Sequence, residues 1–260
     1  MIRGIQTVVS AMQAQQKRQE IMAKNLSNAS TTGYKQECTS VEGFAATIGR
    51  LEKGGSRSGL ALTATSPSLG SLGADLGVDR SWVDFRQGGL EQTQRKLDVA
   101  LNGDGFLQVR TPDGDFYFRG GALQVDSDGR LVTEEGYSVL ADDGQEIYLP
   151  DGDPTIKADG SIFVGDEPVA SLSLVEFDPG TPMAKVGECL YSPDDPNSQP
   201  LAPIATTVKQ GFLEQSNVDQ ISVMTEMVTL LRAYQASQRM ILAQDELLGK
   251  AVNEVGKIQG

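Results

Sequence analysis

The chain has 260 residues, of which 39% are hydrophobic, with 22 Lys and Arg against 35 Asp and Glu and a formal charge of −13. That is enough apolar material for one or two folded domains. Histidine is absent, which excludes Ser-His and Cys-His nucleophiles, His-ligated zinc and imidazole switching. A pI near 4.5 argues against wrapping nucleic acid, because affinity for phosphate backbones comes mostly from Lys and Arg. Cys38 and Cys189 are too few for a disulfide framework or a metal site, so no metal or cofactor is expected. No apolar run reaches the length of a membrane span, and the start MIRGIQTVVSAMQAQQKRQE lacks the apolar block and cleavage site of a signal peptide. The expectation is a protein that does not insert into the membrane and whose export would need another route.

Charge is unevenly placed. Residues 1–35 carry a net +4, residues 218–260 a net −1, and the remaining −16 lies between them, together with nearly all the Gly and Pro. Composition therefore divides the chain into two helical ends and a turn-rich centre.

At the first end, Ile2, Ile5, Val9, Met12, Gln16, Gln19, Ala23 and Leu26 follow alternating steps of three and four, the spacing of one helical seam, with no Pro or Gly from residue 5 to 32. Gln16 and Gln19 weaken the middle of that seam, so such a helix needs partners. It should stop near Asn28 to Gly33, where Ser, Asn and Thr compete for backbone hydrogen bonds and Gly33 tolerates a left-handed turn. Residues 54–77 hold six Gly and five Ser with only Arg57 and Asp75 charged, the composition of an extended linker or arm, which is assigned to residues 36–80.

From Trp82 to about Phe177 the apolar period becomes two, in short runs such as 106–109, 116–118, 131–132 and 162–164. Asp-Gly pairs beginning at Asp104, Asp113, Asp128, Asp143, Asp151 and Asp159 supply the positive φ angles of tight hairpins. This predicts a central antiparallel β domain over residues 81–215. Pro-rich stretches at 178–182 and 193–203 read as loops. Asp126-Ser127-Asp128-Gly129 lacks the glycine and glutamate spacing of a calcium loop and reads as a hairpin turn, and Gly103-Asp104-Gly105 does not continue into a nucleotide-binding glycine motif.

At the far end Met224, Leu231, Gln238, Asp245 and Val252 recur every seven residues, interleaved by Met227, Tyr234, Ile241, Leu248 and Val255, the a and d positions of one long helix that Asp219 or Ser222 would cap. The fold expectation is α+β: a discontinuous coiled-coil domain of residues 1–35 with 216–260, the arm, and the β domain.

Four blocks carry a resemblance. Lys24-Asn25-Leu26-Ser27-Asn28-Ala29-Ser30-Thr31-Thr32-Gly33-Tyr34-Lys35 resembles the signature that ends the first helix of bacterial flagellar rod and hook proteins. Leu97-Asp98-Val99-Ala100-Leu101-Asn102-Gly103-Asp104-Gly105-Phe106, then Gly211-Phe212-Leu213-Glu214-Gln215-Ser216-Asn217-Val218-Asp219, then Arg232-Ala233-Tyr234-Gln235-Ala236 are similar to further blocks of that family, in the same order. Length and a single β domain resemble the rod proteins, proximal or distal, rather than the longer hook protein. Lys24, where the family usually has Asn, and Arg119-Gly120-Gly121-Ala122, in place of Arg-x-Gly-x-Phe, are departures.

The resemblance implies a non-enzymatic structural subunit of the flagellar basal body. It would be exported through the flagellar type III apparatus, and would polymerise with itself and with other rod and hook proteins into a helical tube that transmits torque from motor to hook. Subunit contacts are assigned to Ile5, Val9, Met12, Asn25, Leu26, Asn28, Gly33 and Tyr34 at the first helix and its end, to Asn217, and to Met224, Met227, Leu231, Tyr234, Ile241 and Leu248 on the last helix. Asn25, Asn28 and Asn217 should tie loops and helix ends through their amides. The residues alone leave open a second reading, an extracellular adhesion module with a helical stalk, and a third, a carboxylate-based enzyme.

Overall fold

The computed structural model describes residues 2–43, 76–178, 180–195, 198–203 and 205–257. The Gly- and Ser-rich stretch 54–77 lies, except for its last two residues, outside the described residues. In chain order the elements are α1 (Ile2–Ser27), β1 (Gln36–Gly43), β2 (Leu76–Asp84), β3 (Leu90–Gln92), β4 (Val99–Asn102), β5 (Phe106–Thr111), β6 (Gly114–Phe118), β7 (Leu123–Val125), β8 (Leu131–Thr133), β9 (Ser138–Val139), β10 (Pro154–Ile156), β11 (Ser161–Val164), β12 (Glu167–Ser171), β13 (Leu174–Val175), β14 (Met183–Lys185), β15 (Leu190–Pro193), β16 (Thr207–Gln210), β17 (Phe212–Glu214) and α2 (Gln220–Lys257). Two units are formed. One contains Met1–Lys24, Cys38–Ser81 and Gln220–Gly260, the other Asn25–Glu37 and Trp82–Asp219.

The second unit is antiparallel throughout. Its largest sheet runs β14-β15-β6-β5-β9-β8-β7, with β13 also on β5, and smaller sheets pair β10-β11-β12, β16-β4 and β17-β3. Short strands follow from the turns. Gly114, Gly129, Gly144 and Gly160, each preceded by Asp, have positive φ, as hairpin turns require, and Gly152 has it in the bend before β10. Gly105 is the exception among the Asp-Gly pairs. Its backbone leads straight into β5, and a Cβ there would stand 2.6 Å from the Thr206 hydroxyl, so this glycine is needed for close approach rather than for its φ.

Strands also continue beyond Phe177, where the sequence showed no period of two and two Pro-rich stretches read as loops. β16 runs against β4 in register from Thr207↔Asn102 to Gln210↔Val99, and β17 against β3 from Phe212↔Gln92 to Glu214↔Leu90. These returns are too short, at three or four residues, to show a period. The core is built from alternate strand residues, among them Leu107, Val109, Leu131 and Val139, all removed from water. An aromatic cluster of Phe85, Phe106, Tyr117, Phe177 and Tyr191 meets edge to face, with ring centroids 4.8 to 6.0 Å apart, the geometry the ring quadrupole favours.

In the first unit, α2 runs for 38 residues, roughly 57 Å at 1.5 Å per residue, with Asp219 immediately before it. Side chains of α2 withdrawn at least partly from water form a row at alternating steps of four and three, Val223, Met227, Leu230, Tyr234, Ser237, Ile241, Gln244 and Leu248, with Ala233 beside it. The expected seam shared only half of these. Met227, Tyr234, Ile241 and Leu248 hold, but Met224 and Leu231 stand 50% and 37% exposed, because the other row falls one residue earlier, at Val223 and Leu230. Both rows are apolar at these two positions, so periodicity alone could not choose.

On α1 the shift is larger. Ala14, Ile21, Met22 and Asn25 are buried while Val9, Gln16 and Ala23 are exposed. At 100° per residue the buried row lies nearly opposite the expected seam, and with Ala14 and Asn25 beside Ile21 and Met22 it is the less conspicuous of the two in sequence. Arg18 reaches Glu226 at 3.8 Å.

Truncating Leu107 to Ala should cost about 2–5 kcal/mol, the range for an aliphatic side chain deleted from a close-packed core, read as a lower urea midpoint with unchanged slope.

Candidate functional site

Among the described residues no group of three or more His, Cys, Asp or Glu could hold a metal ion. The functional features are instead an ion cluster inside the β unit and the apolar faces of the helical unit.

The cluster gathers residues far apart in sequence. Glu214, at the end of β17, is fully buried and accepts from Lys35 Nζ at 2.6 Å, from the Gly88 amide at 2.8 Å and, through its second oxygen, from Arg119 Nε at 3.1 Å. Arg119 directs its remaining nitrogens to the carbonyls of Gly103 and Gly105, and Lys35 donates also to the Arg86 carbonyl at 2.9 Å. Two cations thus share one carboxylate, with backbone carbonyls taking the donors it cannot serve. Burial, and then the Arg119 charge, pull the Lys35 ammonium below its ordinary pKa.

Around the cluster the chain is held by backbone and amides. The Gly33 amide donates to the Glu214 carbonyl at 2.7 Å. Gly33 has φ +73°, and a Cβ there would lie 2.4 Å from the Gly120 Cα, so only glycine fits. Asn25 accepts from the Tyr34 hydroxyl at 3.1 Å and the Glu37 amide at 2.9 Å, and donates to the Glu37 carbonyl at 2.7 Å. Asn217 donates to the Asp84 and Arg86 carbonyls and accepts from the Gln36 amide. The Asn28 side chain accepts from the Thr31 hydroxyl in the turn that ends α1. Lys185 lies 3.1 Å above the Tyr34 ring, a cation over the negative face of the π system. Burial, with the Glu37 charge second, pushes the Tyr34 hydroxyl up to about 12. Burial likewise pushes the Cys189 thiol, which donates to the Thr32 carbonyl, up to about 12.

The structure therefore brings Asn25, Gly33, Tyr34 and Asn217 together in the β unit and disperses the other assigned residues. Val9 is 40% exposed and Met12, Leu26 and Asn28 are half-buried, while the Ile5 side chain lies outside the described residues. Sequence reasoning missed Lys35, Arg119 and Glu214 as a set. Lys35 and Glu214 stood inside the quoted blocks, as did Gly103 and Gly105, but nothing in a linear motif says that its charged member pairs with that of another block.

The blocks match three family descriptions: "Flagella basal body rod protein" over residues 5–35, "Flagellar hook protein FlgE/F/G D1 domain" over 100–164, and "Flagellar basal body rod FlgEFG protein C-terminal" over 209–254. The chain is 30% identical to the flagellar basal-body rod protein FlgG of Bacillus subtilis across 97% of its own length and 99% of that protein's. It is 33% identical to the rod protein FlgF of Caulobacter vibrioides across 92% of each, and 31% identical to FlgG of Borreliella burgdorferi across 97% and 98%. The chain belongs to the family of flagellar basal-body rod proteins. It is a structural subunit of the basal body, not an enzyme, and the adhesion-module reading has no support among these relatives.

Glu214→Gln should destabilise the β unit by about 3–5 kcal/mol, since two buried cations lose their counter-charge; urea unfolding followed through the aromatic near-ultraviolet signal measures it. Alkali should also unfold this unit. A buried thiol that stays protonated to about pH 12 in the fold, against 9.0 in the free chain, removes about 1.4 kcal/mol of stability per pH unit from pH 9 upward. Tyr34 adds the same slope from pH 10.0. Lys35, lowered in the fold, contributes slope of opposite sign. Comparing Cys189→Ala with the parent isolates the thiol: the variant's stability should fall less steeply between pH 9 and 10.

Proposed function

We propose that this chain polymerises, with copies of itself and with other flagellar rod and hook proteins, into the helical tube of the basal-body rod, and that the tube passes torque from the motor to the hook. In this reading residues 1–35 with 216–260 form a discontinuous domain whose helices pair as a coiled coil, residues 36–80 serve as an arm, and residues 81–215 form the β domain. The chain travels through the flagellar type III export apparatus and neither binds nucleic acid nor inserts into the membrane. No described helix is long and apolar enough to span one.

The observation that carries this reading is the exposure of large apolar side chains along α2: Met224 at 50%, Val228 at 48%, Leu242 at 68% and Leu247 at 62%. A surface helix of a self-sufficient protein presents a polar face to water. A subunit that reserves apolar faces for neighbours does not, and association is what stabilises them. Val9, Met12, Leu26, Met224, Met227, Leu231, Tyr234, Ile241 and Leu248 supply the apolar contacts of the tube. Asn25, Asn28, Gly33, Tyr34 and Asn217 shape the chain where the helices begin and end. Contacts between unlike surfaces of successive copies propagate into an open helix when the rotation does not close.

Leu231→Asp tests the reading. Because Leu231 is already 37% exposed, the isolated chain should keep its circular dichroism and unfold within about 0.5 kcal/mol of the parent. Cells carrying it should build no rod beyond this subunit and lose motility, and normal swimming would refute the assignment.

A further inference from the structure

On one side of α2 the helical unit has a hollow. A hollow of about 500 Å³ lies between α1 and α2, lined by the small side chains Ala11, Ala14, Thr225, Thr229 and Ala233 together with larger ones, among them Met22, Leu230, Arg18 and Glu226. Small residues leave the space open, and close packing of protein interiors makes an unfilled apolar space of this size costly. The Gln15 side chain also lines it, and its amide oxygen is shielded from water without a hydrogen-bond partner. A buried acceptor left unpaired costs about 1–3 kcal/mol. Whatever fills the hollow would bring aliphatic bulk against its apolar lining.

The same helix carries such bulk on its other side. Met224, Val228 and Leu231 are exposed at steps of four and three, and the row continues through Gln235 and Gln238, both exposed, whose amides can donate. At 100° per residue this row lies roughly opposite Glu226, Leu230 and Ala233 in the lining of the hollow. One copy can thus insert its ridge into the hollow of the next while its own hollow remains available to a third. Two unlike surfaces on opposite sides of one helix define a head-to-tail contact, the kind that propagates without closing.

We propose that the hollow between α1 and α2 is the receptor for the Met224-Val228-Leu231 ridge of a second copy of this chain. This rests on the assignment as a polymerising rod subunit and specifies which surfaces meet.

Two full-length chains lacking Cys38 through Cys38→Ser, one carrying Ala11→Cys and the other Val228→Cys, would be co-expressed in cells deprived of the native copy. Basal bodies would then be isolated and oxidised. Cys189 is buried and stays. The expected result is a disulfide dimer in the mixed cells and its loss when either chain is expressed alone. Thr229→Cys with Met224→Cys forms an independent pair, so that one misplaced sulfur does not decide the matter. In a second arm, Val228→Asp should abolish incorporation into basal bodies and Ala11→Lys in the same chain should restore it, because the two charges meet across the contact. Dimers of like with like, a disulfide to a different protein, or swimming cells whose basal bodies contain the chain but no mixed dimer would overturn the pairing while leaving the rod assignment standing. Absence of the parent chain from basal bodies would overturn both.

Discussion

The β unit is organised around a single buried carboxylate. Glu214 engages Lys35, Arg119 and the Gly88 amide through its side chain and the Gly33 amide through its backbone. One residue therefore closes the segment after α1, the segment after β2, the β4–β5 turn reached through Arg119, and the strand that leads into α2. A buried ion pair is weak evidence for net stability, since desolvation offsets most of the attraction. What it enforces is pairing: a cation left there without its carboxylate is prohibitive, so alternative registers of these short strands are penalised far more than the apolar core alone would penalise them. Arg suits the central place because its planar fork serves the carboxylate and two carbonyls at once.

That choice of interaction fits the way the chain crosses between its units. It does so after Lys24, Glu37, Ser81 and Asp219, and the side chains of Asn25 and Asn217 bond the backbone at Gln36, Glu37, Asp84 and Arg86, close to those crossings. Amides are suited to this because each offers donors and an acceptor to passing backbone. Strands of three or four residues make few ladder bonds of their own, so polar side chains at their ends carry a larger share of the positioning than they would in a broad sheet.

The helical unit is built on the opposite principle. Its faces are apolar in more directions than one chain uses, a cross-helix ion pair, Arg18 with Glu226, is partly exposed and contributes little, and a hollow interrupts its packing. Long helices gain stability chiefly from burying such faces rather than from propensity. Exposed apolar faces of this kind agree with membership of a family of basal-body rod proteins.

Much of this was legible in the chain itself. The four-three spacing of apolar residues located both helices, helped at the first by the absence of Pro and Gly from residue 5 to 32, since a helix repeats every 3.6 residues whatever surrounds it, and most of the Asp-Gly pairs located hairpins because positive φ is a local property of those residues. Four sequence blocks pointed to the family. What the sequence left undecided was decided in three dimensions. Which of two apolar rows on α1 and α2 is withdrawn from water depends on what each helix meets, and Val223 against Met224 or Ala14 against Met12 differ too little in hydrophobicity to announce it. The pairing of Lys35 and Arg119 with Glu214 spans up to 179 residues; a charge has no periodicity, and its partner becomes visible only when the fold has brought both out of water.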